Sequence, residues 1–308
     1  MGSSRSGEAL GTATKLILDT DIGTDVDDAW ALALCLASPD IDLVGVTLVH
    51  ADLDTRARIA LKMLRLAGRD DIPVYKGLSE TLTDGGRLYW AGHEGTDTDF
   101  SDIVGLEARE GGVDFILESI ERYPGEIVVA PVGPLTNIAA AISRAPETMR
   151  KVKKLAVMGT TYCGEGPGCS EREHNGCVDP EATKVFFDSG IPATVVGMNV
   201  SMQVRVRSDD LPPLERSALG KYLVAMTRQY YRVCGRDFTY MHDPLAIAAV
   251  IDPSVVTTRR MSGRALEDGR AVYTHDDTGV LDVCTNVDVE RFETMLLSRI
   301  GLLADQGE

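Results

Sequence analysis

The sequence lacks several features that would assign it to a membrane or to nucleic acid. It contains no apolar run of about 18 residues and no recognisable secretory signal. Basic residues are in the minority, with 31 Lys and Arg against 47 Asp and Glu and a formal net charge of −16. This charge argues against duplex nucleic acid or an anionic membrane as the main partner. The six cysteines are scattered along the chain, and together with the lack of a signal this leads us to expect a protein of the reducing cytoplasm. None of them has the C-x-x-C spacing of a zinc site.

The chain also lacks signs of division into domains. No Pro/Ser-rich linker interrupts it, and no repeat with a period of roughly 20 to 50 residues recurs. With 308 residues, 44% of them hydrophobic, it is long enough to bury one large core. We therefore predict a flexible N-terminal segment at 1–14 and a single catalytic domain at 15–308.

Short apolar runs alternate with segments whose apolar residues follow helical spacing. The pattern predicts a single large α/β domain with a mainly parallel, Rossmann-like open sheet flanked by helices on both faces. In such folds, ligands bind outside the carboxyl ends of the strands. The predicted strands are 15–18, 41–49, 72–75, 126–132 and 154–158, and the predicted helices include 29–37, 55–67, 111–122, 136–143 and one that opens at Asp179.

Acidic residues are concentrated where the first strand meets the first helix. Residues 15–36 read KLILDTDIGTDVDDAWALALCL and contain Asp19, Asp21, Asp25, Asp27 and Asp28. Crowded carboxylates repel one another, and a bound metal ion that accepts several oxygens relieves the repulsion. The alternative is that one or two of them cap the helix while the others face solvent. That alternative accounts for Asp27 or Asp28 more easily than for all five acids.

Five motifs, in this order and at these separations, resemble the nucleoside hydrolases of the inosine-uridine preferring type. The resemblance runs from Leu16 to Phe292, and it implies the nucleoside hydrolase fold. The motifs are DTDIGTDVDD at 19–28, LAGRDDIPVYKG at 66–77, PVGPLTNIA at 131–139, VMG followed by EREHN and DPEA within 157–182, and HDPLA at 242–246.

The resemblance implies Ca²⁺-dependent hydrolysis of the N-glycosidic bond of ribonucleosides, which releases free base and ribose. Asp21, Asp28 and Asp243 match the carboxylate ligands of the family, and the carbonyl of Val132 adds a backbone oxygen. Oxygen ligands of this kind suit Ca²⁺, and the 2′- and 3′-hydroxyls of ribose would complete its shell. Asp21 would activate a metal-bound water, and His242 would protonate the departing base. A satisfied histidine beside a helix N-terminus is the alternative for His242.

Other positions match residues that contact the substrate in the family. Asp27, Glu173 and Asn175 match contacts to the ribose hydroxyls, Met158 matches a residue that lies against the sugar, and His93 matches a histidine near the base. For Met158, a plain core position at the end of a strand is an equally good interpretation.

Two positions depart from the pattern of the family. Asp52 stands where the family usually has an asparagine that contacts ribose, so the local contact changes from donor and acceptor to acceptor only. Pro167 stands where an asparagine contact to the 5′-hydroxyl would fall. Altered recognition of the 5′ end, or a modified nucleoside as substrate, is consistent with these changes.

Two other functions stay open at this point. One is a Mg²⁺-dependent phosphohydrolase with Asp19 as its nucleophile, although the acidic residues would repel phosphate. The other is a non-catalytic nucleoside or ribose binder on the same scaffold. The resemblance also implies a homodimer or homotetramer, and it leaves the preferred base undetermined.

Overall fold

The strands and helices alternate along most of the chain. The computed structural model describes residues 13–86, 89–164 and 171–302. The strands are β1 (Thr14–Thr20), β2 (Ile41–Leu48), β3 (Val74–Lys76), β4 (Arg109–Glu110), β5 (Val128–Pro131), β6 (Lys154–Met158), β7 (Ala193–Val196), β8 (Arg205–Arg207), β9 (Phe238–Tyr240), β10 (Val256–Ala265), β11 (Ala271–His275) and β12 (Leu281–Val287). The helices are α1 (Asp27–Ala37), α2 (Leu53–Leu66), α3 (Gly112–Arg122), α4 (Thr136–Arg144), α5 (Pro146–Met149), α6 (His174–Val178), α7 (Pro180–Asp188), α8 (Met198–Ser201), α9 (Ala218–Cys234), α10 (His242–Ile251) and α11 (Val289–Leu302).

Ten of these strands form one sheet in the order β11-β10-β12-β7-β6-β5-β1-β2-β3-β4. All neighbours from β12 to β4 pair in parallel, and β10 runs antiparallel to both of its neighbours. The predicted α/β fold with a mainly parallel open sheet is therefore confirmed, with an antiparallel edge that the sequence pattern did not indicate. The chain adds strands on one side of β1, from β2 to β4, and then continues at β5 on its other side. The carboxyl ends of β1 and β5 thus form a topological switch point, where such folds bind ligands.

The central strands are buried on both faces. Leu16, Ile17 and Leu18 of β1 are all 0% exposed, which agrees with the continuous apolar run expected for a parallel strand covered by helices. Leu16 and Leu18 point to one face of the sheet and Ile17 to the other, because side chains alternate along a strand. They accordingly belong to two separate hydrophobic cores, one on each face.

Helices α1 and α10 pack against each other inside the larger core. Residues from Ala29 to Leu34 of α1 and from Leu245 to Ala248 of α10 are fully buried, so these helices are apolar around their whole circumference. Each helix begins with acidic residues, Asp27 and Asp28 in α1 and Asp243 in α10. The packing of the two helices therefore brings these acids from distant parts of the chain to one place.

Most predicted elements lie within a few residues of the observed ones. One difference is the short helix α6, which lies between the predicted strand 154–158 and the predicted helix at Asp179, where the sequence predicts neither a strand nor a helix. Residues 1–12 of the predicted flexible segment, and the departure at Pro167, lie outside the described residues. Among the residues that are described, no helix has the length and apolar character needed to cross a bilayer.

One buried asparagine connects the strand ends that surround the switch point. The side chain of Asn137, in the first turn of α4, donates from Nδ2 to Asp19 Oδ1 at 2.7 Å and to the carbonyl of Leu48 at 3.1 Å. Its Oδ1 accepts from the backbone N–H of Leu78 at 2.8 Å. Asn137 therefore joins the ends of β1 and β2 to the segment after β3.

We expect Asn137→Ala to lower the free energy of unfolding by about 3 kcal/mol, because it removes three hydrogen bonds, one of them to the buried carboxyl group of Asp19 and one from the backbone N–H of Leu78. Urea denaturation measures this change. Ser143→Ala, at an exposed position of the same helix, is the control and should stay within about 0.5 kcal/mol of the parent protein. Equal midpoints for the two variants would show that Asn137 does not have this structural role.

Candidate active site

A cavity of about 270 Å³ opens at the carboxyl edge of the sheet. Its walls come from the segments that follow β1, β5, β6 and β7, as the fold predicts. Six carboxylates line it: Asp21, Asp25, Asp27, Asp28, Glu173 and Asp243. The other lining residues are Thr24, Tyr89, Val132, Met158, His174, Asn175, Met198 and His242.

Three of the carboxylates form a compact group. Asp27, Asp28 and Asp243 are each buried, and they offer ligand oxygens that lie within 4.8 Å of one another. The backbone N–H of Asp243 donates to Asp27 Oδ2 at 3.4 Å, and the hydroxyl of Thr20 donates to Asp28. The first turns of α1 and α10 thus supply the group, with the positive ends of two helix dipoles beside it.

Burial and mutual repulsion act against ionisation of this group. Burial raises the pKa of Asp27 to about 8, and the charges of Asp25 and Asp21 act in the same direction. Burial, followed by the neighbouring carboxylates, holds the pKa values of Asp28 and Asp243 well above their usual range. A hard divalent cation removes this penalty, because it binds several carboxylate oxygens at once. The donor set therefore fits a metal ion of the Ca²⁺ or Mg²⁺ type.

Asp21 lines the same cavity but does not belong to the compact group of three. Its Oδ2 lies 3.8 Å from a terminal nitrogen of the buried Arg56. On its other side the chain approaches closely at Gly133, where an added Cβ would lie 2.7 Å from Asp21 Oδ1. A glycine is needed there, because any larger residue would displace the carboxylate.

Val132, whose carbonyl is a predicted metal ligand, lines the cavity. The carbonyl accepts a hydrogen bond from Asn175 Nδ2 at 2.6 Å, and the same amide lies 3.3 Å from the carbonyl of Met158. A carbonyl oxygen has two lone pairs, so this hydrogen bond leaves one of them open. Met158 is buried at the end of β6 and also lines the cavity, so it holds a core position and faces the ligand space.

Glu173 has a structural role that is visible without a ligand. Its carboxylate accepts from three backbone N–H groups, those of Thr160, Asn175 and Gly176, at 2.7 to 2.8 Å. It thereby caps α6 and holds Asn175 at the cavity wall. Burial raises the pKa of Glu173, although these hydrogen bonds oppose the rise.

His242 lies at the start of α10 and lines the cavity beside Asp243. Its Nδ1 is 2.7 Å from the hydroxyl of Ser201, and its ring lies against Tyr240 with 5.4 Å between centroids. Burial lowers the pKa of His242 to about 4. The imidazole is therefore neutral near pH 7, and Ser201 occupies one of its two nitrogens.

Two predicted substrate contacts do not line the cavity. Asp52 is exposed and caps α2, where it accepts from the backbone N–H groups of Asp54 and Thr55. These hydrogen bonds and that from the Thr55 hydroxyl outweigh its desolvation and lower its pKa. His93 lines a smaller neighbouring cavity, which shares Thr24 with the main one and also contains Gln229 and Tyr230.

Several lining residues were not among the predicted contacts. His174 stands between Glu173 and Asn175 in the EREHN motif, so its place in the motif could have indicated it. Met198 follows β7 at the carboxyl edge of the sheet, which is also a readable signal. Tyr89 lies in a long irregular segment, and its sequence context contains no signal of a ligand contact.

Comparison with known proteins agrees with this geometry. Residues 16–294 match the profile of the family described as inosine-uridine preferring nucleoside hydrolase. Uridine nucleosidase 1 of Arabidopsis thaliana is 33% identical, over 91% of this chain and 86% of its own length. A purine-preferring ribonucleoside hydrolase from Gardnerella vaginalis is 32% identical and superposes with a TM-score of 0.85, over 94% of this chain and 99% of that one. A plant nucleoside hydrolase, PpNRh1, has 30% identity and a TM-score of 0.80, over 94% and 99% of the two chains.

The α/β fold, the acid-lined cavity at its switch point and these relatives together define an enzyme of the N-glycosyl hydrolase class. Within that class, the chain belongs to the nucleoside hydrolase family.

The raised pKa of Asp27 predicts how the stability of metal-stripped protein depends on pH. The folded-state pKa of about 8 exceeds the ordinary value of 3.8, so the folded state holds more protons between these values. The stabilising contribution is complete below the lower value and is lost as the pH rises through the higher one. We therefore expect the thermal midpoint in chelator to fall as the pH rises from about 5 to about 8. Asp27→Asn should make this fall shallower, and an unchanged slope would contradict the assignment.

Proposed function

We propose that this protein hydrolyses the N-glycosidic bond of ribonucleosides in a Ca²⁺-dependent reaction that releases free base and ribose. The observation that carries the proposal is the convergence of Asp27, Asp28 and Asp243 beside Asp21 and His242 in one cavity. Family membership supports the reaction class.

Asp28, Asp243, Asp21 and the carbonyl of Val132 would hold the ion, with Asp27 close enough to contribute. An all-oxygen donor set from carboxylates and a carbonyl suits the flexible shell of six to eight ligands that Ca²⁺ prefers. When bound, Ca²⁺ would act as a Lewis acid that lowers the pKa of water and binds the vicinal hydroxyls of the sugar.

Asp21 is the proposed general base. It lies at the cavity wall outside the compact group of three, so its carboxylate is available to accept a proton from the water that attacks the anomeric carbon. The close approach of Gly133 and the nearby cation of Arg56 restrict the positions that this carboxylate can take.

The carboxylates that line the cavity suit the positive charge that would develop on the sugar. Glycosidic cleavage passes through a transition state with oxocarbenium character, and fixed negative charge nearby stabilises it. Glu173 and Asn175 are held rigidly by their mutual backbone contacts, and with Asp27 they are the proposed contacts to the ribose hydroxyls. Met158 supplies the apolar surface beneath the sugar.

His242 is the proposed proton donor to the leaving base. When the hydroxyl of Ser201 donates to Nδ1, the proton of the neutral ring is carried by Nε2. That N–H can donate to a ring nitrogen or carbonyl oxygen of the base as the bond to the sugar breaks. Because burial disfavours the imidazolium form, the neutral ring would stabilise charge on the leaving base through this hydrogen bond. The proton that the attacking water loses balances the proton that the released base gains.

The position of Asp19 disfavours the phosphohydrolase alternative. Its side chain is 0% exposed, does not line the cavity, and accepts from Thr47 and Asn137 through Oδ1. A nucleophile in that position could not reach a substrate. The non-catalytic binder is distinguished by experiment, and the homodimer or homotetramer and the cytoplasmic location stay predictions.

We expect Asp21→Ala to abolish base release from uridine, cytidine, inosine and adenosine while the protein stays folded, because the attacking water loses its base. Release of free base, measured by chromatography, tests this and also establishes which base the enzyme prefers. Asp209→Ala removes an exposed carboxylate and is the control for charge. His242→Ala should slow release most for the poorest leaving base. Ordinary turnover by Asp21→Ala would refute the mechanism, and no release by the parent protein would favour the binder.

Chelation should lower both activity and thermal stability, and Ca²⁺ should restore both, because the ion binds the folded state and not the unfolded chain. Mg²⁺ should restore less, since it demands a stricter octahedral shell. The measurements are thermal unfolding and uridine turnover after removal of divalent ions. 2′-Deoxyuridine is the matched substrate control, because it lacks one of the two hydroxyls proposed to bind the ion. Stripped protein with unchanged melting and full activity would remove Ca²⁺ from the proposal.

A further inference from the structure

Arg56 is a fully buried cation that the proposed reaction does not use. It lies in the first turn of α2 and is 0% exposed. Its Nε donates to the carbonyl of His50 at 2.7 Å, and a terminal nitrogen donates to the carbonyl of Ile22 at 2.9 Å. The other terminal nitrogen lies 3.4 Å from the hydroxyl of Thr24. A buried guanidinium is unfavourable unless such partners surround it, so these contacts form a built site.

The guanidinium joins the two turns that follow the neighbouring strands β1 and β2. Ile22 and Thr24 belong to the turn between β1 and α1, which carries the catalytic carboxylate. His50 belongs to the turn between β2 and α2, where His50 and Ala51 both have left-handed backbone angles, with φ of 70° and 59°. Two successive non-glycine residues in that region need support from their surroundings. Arg56 provides part of that support from inside the fold.

Arg56 also bears on the charge of the site. The cavity wall carries six carboxylates and, among the described residues, neither Lys nor Arg. Arg56 lies directly behind that wall, with its terminal nitrogen 3.8 Å from Asp21 Oδ2. This separation is too long for a direct hydrogen bond and acts as a contact between charges. Arg236 is a second nearby cation, but it is half-buried against the aromatic ring of Tyr230 on the other side of the cavity.

Trp90 covers the guanidinium on its remaining side. The indole ring lies 5.3 Å from the central carbon of Arg56, a distance typical of a cation–π contact. The hydroxyl of Thr24, which faces Arg56, donates to Glu94 at 2.9 Å. The contacts of Arg56 therefore extend to the segment that carries Tyr89 and His93.

We propose that Arg56 is the positioning residue of this site, which holds the Asp21 turn in place and balances the acidic group before a metal ion enters. The fork of donors fixes the turn, and the positive charge lowers the repulsion among the carboxylates. The proposal thus has two parts, a positioning role that affects the reaction rate and a charge role that affects metal binding. The positioning role rests on the proposed function. The charge role does not, because it is measured without substrate.

Three variants separate the two parts. Arg56→Met removes both the planar set of N–H donors and the positive charge, whereas Arg56→Lys keeps the charge but not the planar donors. Arg58→Met is the matched control at an exposed position of the same helix. For each, thermal unfolding is recorded in chelator and during titration with CaCl₂, and kcat and KM are measured for the preferred ribonucleoside. A merely structural role would lower the melting temperature equally with and without Ca²⁺.

We expect the rise in melting temperature on adding Ca²⁺ to be larger for Arg56→Met than for the parent protein, because its acids are uncompensated in the stripped state. Arg56→Lys should show the rise of the parent protein. Both should lower kcat far more than they change KM, by about 100-fold for Arg56→Met, because the catalytic carboxylate is displaced. Arg58→Met should match the parent protein in every measurement.

The proposal is overturned if Arg56→Met shows the Ca²⁺ response and kcat of Arg58→Met. Should Arg56→Met fail to fold, Arg56→Lys decides the question, and a kcat equal to that of the parent protein overturns the positioning role. If CaCl₂ raises the melting temperature of neither the parent protein nor any variant, both the charge role of Arg56 and the metal assignment are wrong. A normal Ca²⁺ pattern without base release by the parent protein rejects the proposed function and leaves the charge role of Arg56 supported.

Discussion

The structure depends on bringing several carboxylates together out of water at the first turns of two buried helices. Asp27 and Asp28 on α1 meet Asp243 on α10 because the two helices pack along apolar surfaces. Such a group is unfavourable by itself, since burial and repulsion both oppose charge. Helix dipoles lower the cost, and a divalent cation would remove most of it. A bound positive charge would therefore stabilise this part of the core.

The order of strands determines which other groups meet the acids. Because β1 lies between β2 and β5, the segments that follow β1 and β5 open side by side at the switch point. Asp21 and Val132 come from these two segments, and Asn137 holds the neighbouring strand ends together from below. On its sheet side the cavity is therefore supported by hydrogen bonds between neighbouring strand ends. Its other wall is formed by α6 and by the segment that carries Tyr89.

The parts of the fold that could be predicted from sequence have strong local signals. The run before Asp19 predicts a buried strand, and the alanine and leucine residues after Asp28 predict a helix, and both are observed. The antiparallel edge formed by β10 was not predicted, because strand direction depends on partners distant in the chain. The cap on α6 was also missed, since a Glu173 matched to a sugar contact gave no reason to expect three backbone partners.

The sequence by itself determined the family, the order of strands and helices and the acidic motif at the first turn, because these are carried by residues close together in the chain. Only the tertiary structure decided that Asp27, rather than Asp21, joins the compact group, that Asp52 caps a helix away from the cavity, and that Arg56 is buried beside Asp21. The physical reason is that propensity and spacing act over a few residues. The distance between two side chains on different elements depends on how the helices pack and on the order of strands in the sheet.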